Sequence, residues 1–72
     1  MGDRRLVNQV RTLRFLQGEM TQAELGARVG VTRQTIAAIE SGKYSPTLET
    51  ALRIAEAFGK RVEEVFYWES AS

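Results

Sequence analysis

From Gln22 to Ile39, small and apolar residues fall at offsets that leave this chain few ways to fold. Counting from Gln22, Leu25 lies three residues on, Gly26 four, Gly30 eight, Val31 nine, Ile36 fourteen and Ile39 seventeen. Two short helices that cross steeply need a small residue where their backbones approach, and Gly26 supplies one. A turn of about three residues between them needs a position at positive φ, which Gly30 tolerates because it has no Cβ. Leu25, Val31, Ile36 and Ile39 then fill the wedge. Both helices have start signals. Thr21-Gln22-Ala23-Glu24 is a capping box, and Thr32 is an N-cap for the next helix, which Gly42 closes.

The remaining pattern is also helical. Val10 and Leu13, with Leu6 before and Phe15 or Leu16 after, predict a first helix over about 8–17, which "QGE" breaks. After "SPT", Thr47 caps a fourth helix with an apolar stripe at Leu48, Ala51, Leu52, Ala55 and Phe58, expected to face the core. Gly59 ends it, and Val62, Val65 and Phe66 make a short fifth helix. The aromatic "FYWES" could leave that helix as a strand beside Arg5–Val7. The expectation is an all-α fold: one domain over residues 1–72, a compact five-helix bundle with a helix-turn-helix in helices 2 and 3 and room for a short antiparallel β-ribbon between the termini.

Composition narrows the chemistry. With no cysteine and no histidine in 72 residues, disulfides, the usual zinc sites and thiol or imidazole catalysis are out. No EF-hand spacing and no carboxylate pair beside a glycine-rich loop appears, so no cofactor, metal or enzymatic activity is expected. No apolar run approaches the roughly 20 residues of a membrane span, and the basic N-terminus lacks the apolar core of a signal peptide. A cytoplasmic chain is expected. Net charge is only +1, but residues 1–43 carry +3 and residues 44–72 carry −2. A basic front and an acidic rear suit a protein with one anion-facing side.

The third helix fits that side. Its outer face carries Gln34, Ala37, Ala38 and Ser41, small or neutral where a solvated helix usually carries Glu and Lys. Arg33 and Gln34 gather at its N-terminal end. Arginine is the commonest bidentate reader of guanine, and glutamine can bridge the adenine N6 and N7 edge. Ala37 and Ala38 either meet a thymine methyl or serve helix propensity alone.

The motifs "TQAEL", "VGVTRQTI", "IESGKY" and "SPTLETALRIAEAF" resemble the Cro/C1-type helix-turn-helix regulators, above all their short stand-alone bacterial and archaeal members. The resemblance covers about Asn8 to Phe66 and implies dimeric operator binding, usually with repression. By that resemblance Arg33 and Gln34, with Ala37 and Ala38 beside them, stand where bases are contacted. Gln22 matches a glutamine that braces the recognition helix and touches a phosphate. Thr32, Thr35, Lys43 and Tyr44 match DNA-backbone contacts. Arg14 and Glu40 match a partly buried ion pair between helices 1 and 3. Three departures stand out: Gly26 replaces the more usual alanine, "QGEM" is about one residue longer than the commonest helix 1–2 connection, and Ala37 and Ala38 stand where many members of the family carry longer polar readers.

One recognition helix spans too few base pairs for useful specificity, so a homodimer on a palindromic double-stranded DNA operator is expected. The apolar cluster Val62, Val65, Phe66 and Trp68, within a segment of about 60–70, is the expected dimer interface. No small-molecule ligand and no membrane partner is expected. The competing reading is an antitoxin-like or adaptor module that holds another protein through the aromatic "FYWES".

Overall fold

The computed structural model describes residues 5–69. Five helices carry the fold: α1 (Val10–Leu16), α2 (Gln22–Val29), α3 (Arg33–Ser41), α4 (Leu48–Ala57) and α5 (Val62–Val65). Two three-residue strands, β1 (Leu6–Asn8) and β2 (Phe66–Trp68), pair antiparallel with Leu6 opposite Trp68, Val7 opposite Tyr67 and Asn8 opposite Phe66. The ribbon foreseen beside the bundle is therefore present, one residue further along the N-terminal segment. The fold is a helical bundle with a two-stranded sheet, not purely α.

Local chemistry sets the helix ends. The Thr21 hydroxyl accepts the Glu24 amide at 3.0 Å while the Glu24 carboxylate accepts the Thr21 amide at 2.7 Å, closing the capping box that starts α2. Thr32 and Thr47 accept the amides of Thr35 and Thr50, each at 3.1 Å, and start α3 and α4. Gly30 and Gly42 end α2 and α3 in the left-handed region, at φ 82° and 81°.

The connection from α1 to α2 turns through two successive left-handed residues. Gly18 and the non-glycine Glu19 both adopt positive φ, 69° and 58°. The Met20 amide can then reach back to the Arg14 carbonyl at 2.9 Å, and the Met20 side chain enters the core.

Leu25, Ile36, Ile39, Ile54, Val10 and Val65 are the largest fully buried side chains, with Met20, Val29, Ala55 and Phe58 around them. The expected stripe on α4 needs correction. Leu48 and Leu52 are 73% and 50% exposed, while Ala51, Ile54, Ala55 and Phe58 face inward. At about 100° per residue the buried face is centred between Ile54 and Ala55, so Leu48 and Leu52 flank it on one side. The small side chains of Ala51 and Ala55 let the helix approach closely there, and Ile54 fills what remains.

Candidate nucleic-acid interface

The α2–α3 turn sets the attitude of α3. The amides of Gly30 and Val31 both donate to the Gly26 carbonyl, at 2.8 and 2.9 Å. A Cβ on Gly26 would lie 2.7 Å from the Val31 carbonyl oxygen, closer than nonbonded atoms approach, so at this glycine α2 packs directly on the backbone of the turn, Val31 and Thr32, that leads into α3. On the inner side of α3, Ile36 and Ile39 are fully buried, and half-buried Val31 packs against the same core. That wedge turns the opposite side of α3 outward.

Arg33 and Gln34 occupy the first turn of this outward side and are exposed. Neither side chain makes a hydrogen bond or ion pair among the described residues. Ala37 and Ala38 are half-buried, and the Ser41 hydroxyl folds back onto the Ala38 carbonyl at 3.1 Å. The middle of the outward side is consequently low and uncharged. Thr32 and Thr35 lie at its start, their hydroxyls linked at 3.0 Å. Beyond Gly42, the amides of Lys43 and Tyr44 are both spent on the Ala38 carbonyl, at 3.0 and 3.2 Å. Their exposed side chains remain available.

A buried polar hub holds α3 in place. The Arg14 guanidinium donates from Nε to Glu40 Oε2 at 2.6 Å and from Nη2 to Glu40 Oε1 at 3.0 Å. Its Nη1 donates to the Met20 carbonyl at 2.7 Å, so one side chain ties α1, the α1–α2 connection and α3 together. Both side chains are at least nine-tenths buried. Gln22 completes the hub, donating from Nε2 to Glu40 Oε1 at 3.1 Å. The glutamine that opens α2 thus acts on α3 through Glu40.

A second brace escaped sequence reasoning. Asn8 Nδ2 donates to the Ile39 carbonyl at 3.0 Å, and Asn8 Oδ1 accepts the Val10 amide at 3.1 Å. One amide side chain therefore joins β1, the start of α1 and the last turn of α3. An asparagine before a helix signals the local bond only, because its partner on α3 is 31 residues away.

The residues expected at a dimer interface divide. Val65 is fully buried in its own chain, where its carbonyl also accepts the Gln9 amide at 2.9 Å. It offers no surface to a second copy, which removes it from the expected interface. Val62 and Phe66 are half-buried against the core, and Trp68 is about half exposed. Leu52 adds apolar surface beside Val62, where both line one open groove between α4 and α5. Among the described residues no cluster of metal-ligating side chains occurs, and no helix is long and apolar enough to cross a membrane.

Comparison with known proteins agrees with this geometry. The helix-turn-helix family model matches residues 10–65. The chain is 52% identical over 62 residues to the uncharacterized HTH-type transcriptional regulator YgzD of Bacillus subtilis, covering 86% of this chain and 92% of that protein. It is 45% identical, with the same coverage of both chains, to an uncharacterized HTH-type transcriptional regulator of Methanocaldococcus jannaschii. A third such regulator, of Methanothermobacter thermautotrophicus, is 58% identical over 48 residues, 65% of this chain and 70% of that one. With the turn, the wedge and the capped third helix in place, this chain belongs to the Cro/C1-type helix-turn-helix family of transcriptional regulators.

Proposed function

We propose that the protein is a homodimeric, sequence-specific repressor that lays α3 in the major groove of a palindromic operator. The observation that carries this reading is the pairing of opposites on α3. One side is locked into the core by Ile36 and Ile39, while Arg33 and Gln34 stand exposed and uncommitted at its N-terminal end. Arg33 reads a guanine edge and Gln34 an adenine edge, with Ala37 and Ala38 against the groove floor. Gln22, Thr32, Thr35, Lys43 and Tyr44 meet the sugar–phosphate backbone on either side. The helix starts at Thr21 and Thr32 add the positive ends of two helix dipoles.

A second copy doubles the sequence read, with Leu48, Leu52, Val62 and Trp68 supplying the apolar surface for a two-fold contact. Occupancy of a promoter by the dimer blocks transcription, and the protein acts in the cytoplasm where that DNA lies. Selection of bound duplexes from a random library tests the proposal. Enrichment of an inverted repeat with half-sites about one helical turn apart is expected. A pool that stays random after repeated rounds refutes sequence-specific binding, and a single unrepeated motif refutes the two-fold arrangement.

A further inference from the structure

The outward side of α3 does not end at α3. Ala37 and Ser41 form one wall of an open cleft whose other wall is α1, with Arg11 and Phe15, and whose rim includes Gln22 of α2. The buried pair at its base, Arg14 with Glu40, is electrically neutral. Arg11 therefore supplies the cleft's uncompensated charge. It is exposed and forms no ion pair among the described residues. The Phe15 ring beside it is 52% exposed, with the Arg11 guanidinium 5.7 Å and the Arg14 guanidinium 5.4 Å from its centre. A half-bare phenylalanine in a watery cleft is unfavourable, and a cation held over its ring limits the positions that Arg11 samples.

We propose that α1 carries a DNA contact of its own: Arg11 neutralises a backbone phosphate flanking the groove that α3 enters, and the Phe15 ring packs on the adjoining deoxyribose. This rests on the reading of α3 as the groove-entering helix, because the cleft is continuous with that helix's outward side. Two features fit a nucleic-acid strand here. The cleft combines a cation that has no ion-pair partner among the described residues with an apolar plate, matching the alternation of phosphate and sugar along a strand. Gln22, the proposed phosphate contact at the start of α2, lies on the same cleft. Neither contact carries sequence information, so their effect is on affinity and its salt dependence.

The test uses the full chain and two duplexes, a selected operator and a random sequence, with binding measured by fluorescence anisotropy across a salt series. Arg11→Gln, which keeps the side-chain stem, is expected to weaken binding to both duplexes by a similar factor, roughly tenfold. It is also expected to reduce the slope of log affinity against log salt by about one per bound subunit. Arg11→Lys keeps the slope. Phe15→Ala weakens both duplexes and leaves the slope unchanged. Melting curves of all three variants serve as the control for folding. A wild-type slope in Arg11→Gln, or a loss confined to the operator, overturns the proposal while leaving α3 as the reader. Failure of the wild type to bind either duplex overturns the reading of α3, and this contact with it.

Discussion

Arg14 and Glu40 face each other across the α1–α3 interface with two hydrogen bonds of 2.6 and 3.0 Å, and both are almost wholly buried. Taking two charges out of water is costly, and the cost is met only because each group is fully engaged. Arg14 also serves the Met20 carbonyl, and Glu40 also accepts from Gln22. Removing one partner strands the other charge. Glu40→Ala is expected to destabilise the fold by about 3–5 kcal/mol in urea unfolding. Replacing both with apolar residues, as in Arg14→Met with Glu40→Leu, should recover much of that loss. A double variant as unstable as the single one would mean that the pair contributes net stability, and would contradict this account.

The recognition surface makes a different prediction, because Arg33 supports nothing in the fold. Arg33→Ala should leave the melting temperature unchanged and cost roughly 1–3 kcal/mol of affinity on the selected operator, with little change on random DNA. An equal loss on both duplexes would reassign Arg33 to the phosphate backbone. Replacing thymine by uracil at bases facing Ala37 and Ala38 measures whether those alanines touch a methyl group or only leave room for the helix.

Glu19 holds a left-handed backbone, φ 58°, without the freedom of glycine. The conformation costs an L-residue roughly 1–2 kcal/mol, of which glycine would return part as chain entropy. Glu19→Gly is therefore expected to stabilise the protein by about 0.5–1 kcal/mol, read as a raised urea midpoint with an unchanged slope. A destabilised variant would show that the Glu19 side chain contributes more than its backbone strain costs.

The contrast between helix ends and α4 shows what the sequence made legible. Thr21, Thr32, Thr47, Gly30 and Gly42 act on atoms a few residues away, so their roles follow from local chemistry. The same holds for the wedge residues, whose spacing is set by helix geometry. Leu48 and Leu52 fit the apolar period of α4 as well as Ile54 does, yet lie outside the core. Periodicity gives a stripe, but the direction that α4 turns depends on which side chains are small enough to let its neighbours approach. Asn8 was hidden for a related reason: nothing near it in the chain announces the Ile39 carbonyl. At the proposed site, Arg33 and Gln34 were readable from residue type and place on the helix, whereas the joining of Arg11 and Phe15 to that surface required the packing of α1 against α3.

The capping box of α2 predicts a pH dependence. The Thr21 amide, and then its hydroxyl, hold the Glu24 carboxyl below the usual carboxylate range. A carboxyl whose pKa is lower folded than unfolded stabilises the native state above its unfolded value. That contribution is lost as pH falls through the folded value. Glu24→Ala should therefore melt lower than wild type at pH 7, and the gap should narrow as pH falls below about 4.3, the ordinary glutamate value. A gap that stays constant down to pH 2.5 would mean that Glu24 acts through helix propensity or packing instead of charge.

The dimer proposal is best tested where the core is not at stake. Phe66 is half-buried and Val65 fully so, and a charge at either position threatens the fold itself. Leu52 is half exposed on α4 beside Val62, so a charge there meets water in the monomer. Leu52→Glu is expected to give a folded monomer by light scattering, with wild-type helicity. Operator binding should then become weaker and show a steeper dependence on protein concentration, because two subunits must assemble on the DNA instead of arriving joined. Random DNA should bind nearly as before, since each subunit keeps its own phosphate contacts. An unchanged mass for Leu52→Glu at the same concentration would exclude the α4 face from the interface and leave the ribbon carrying Trp68 as the surface to test next.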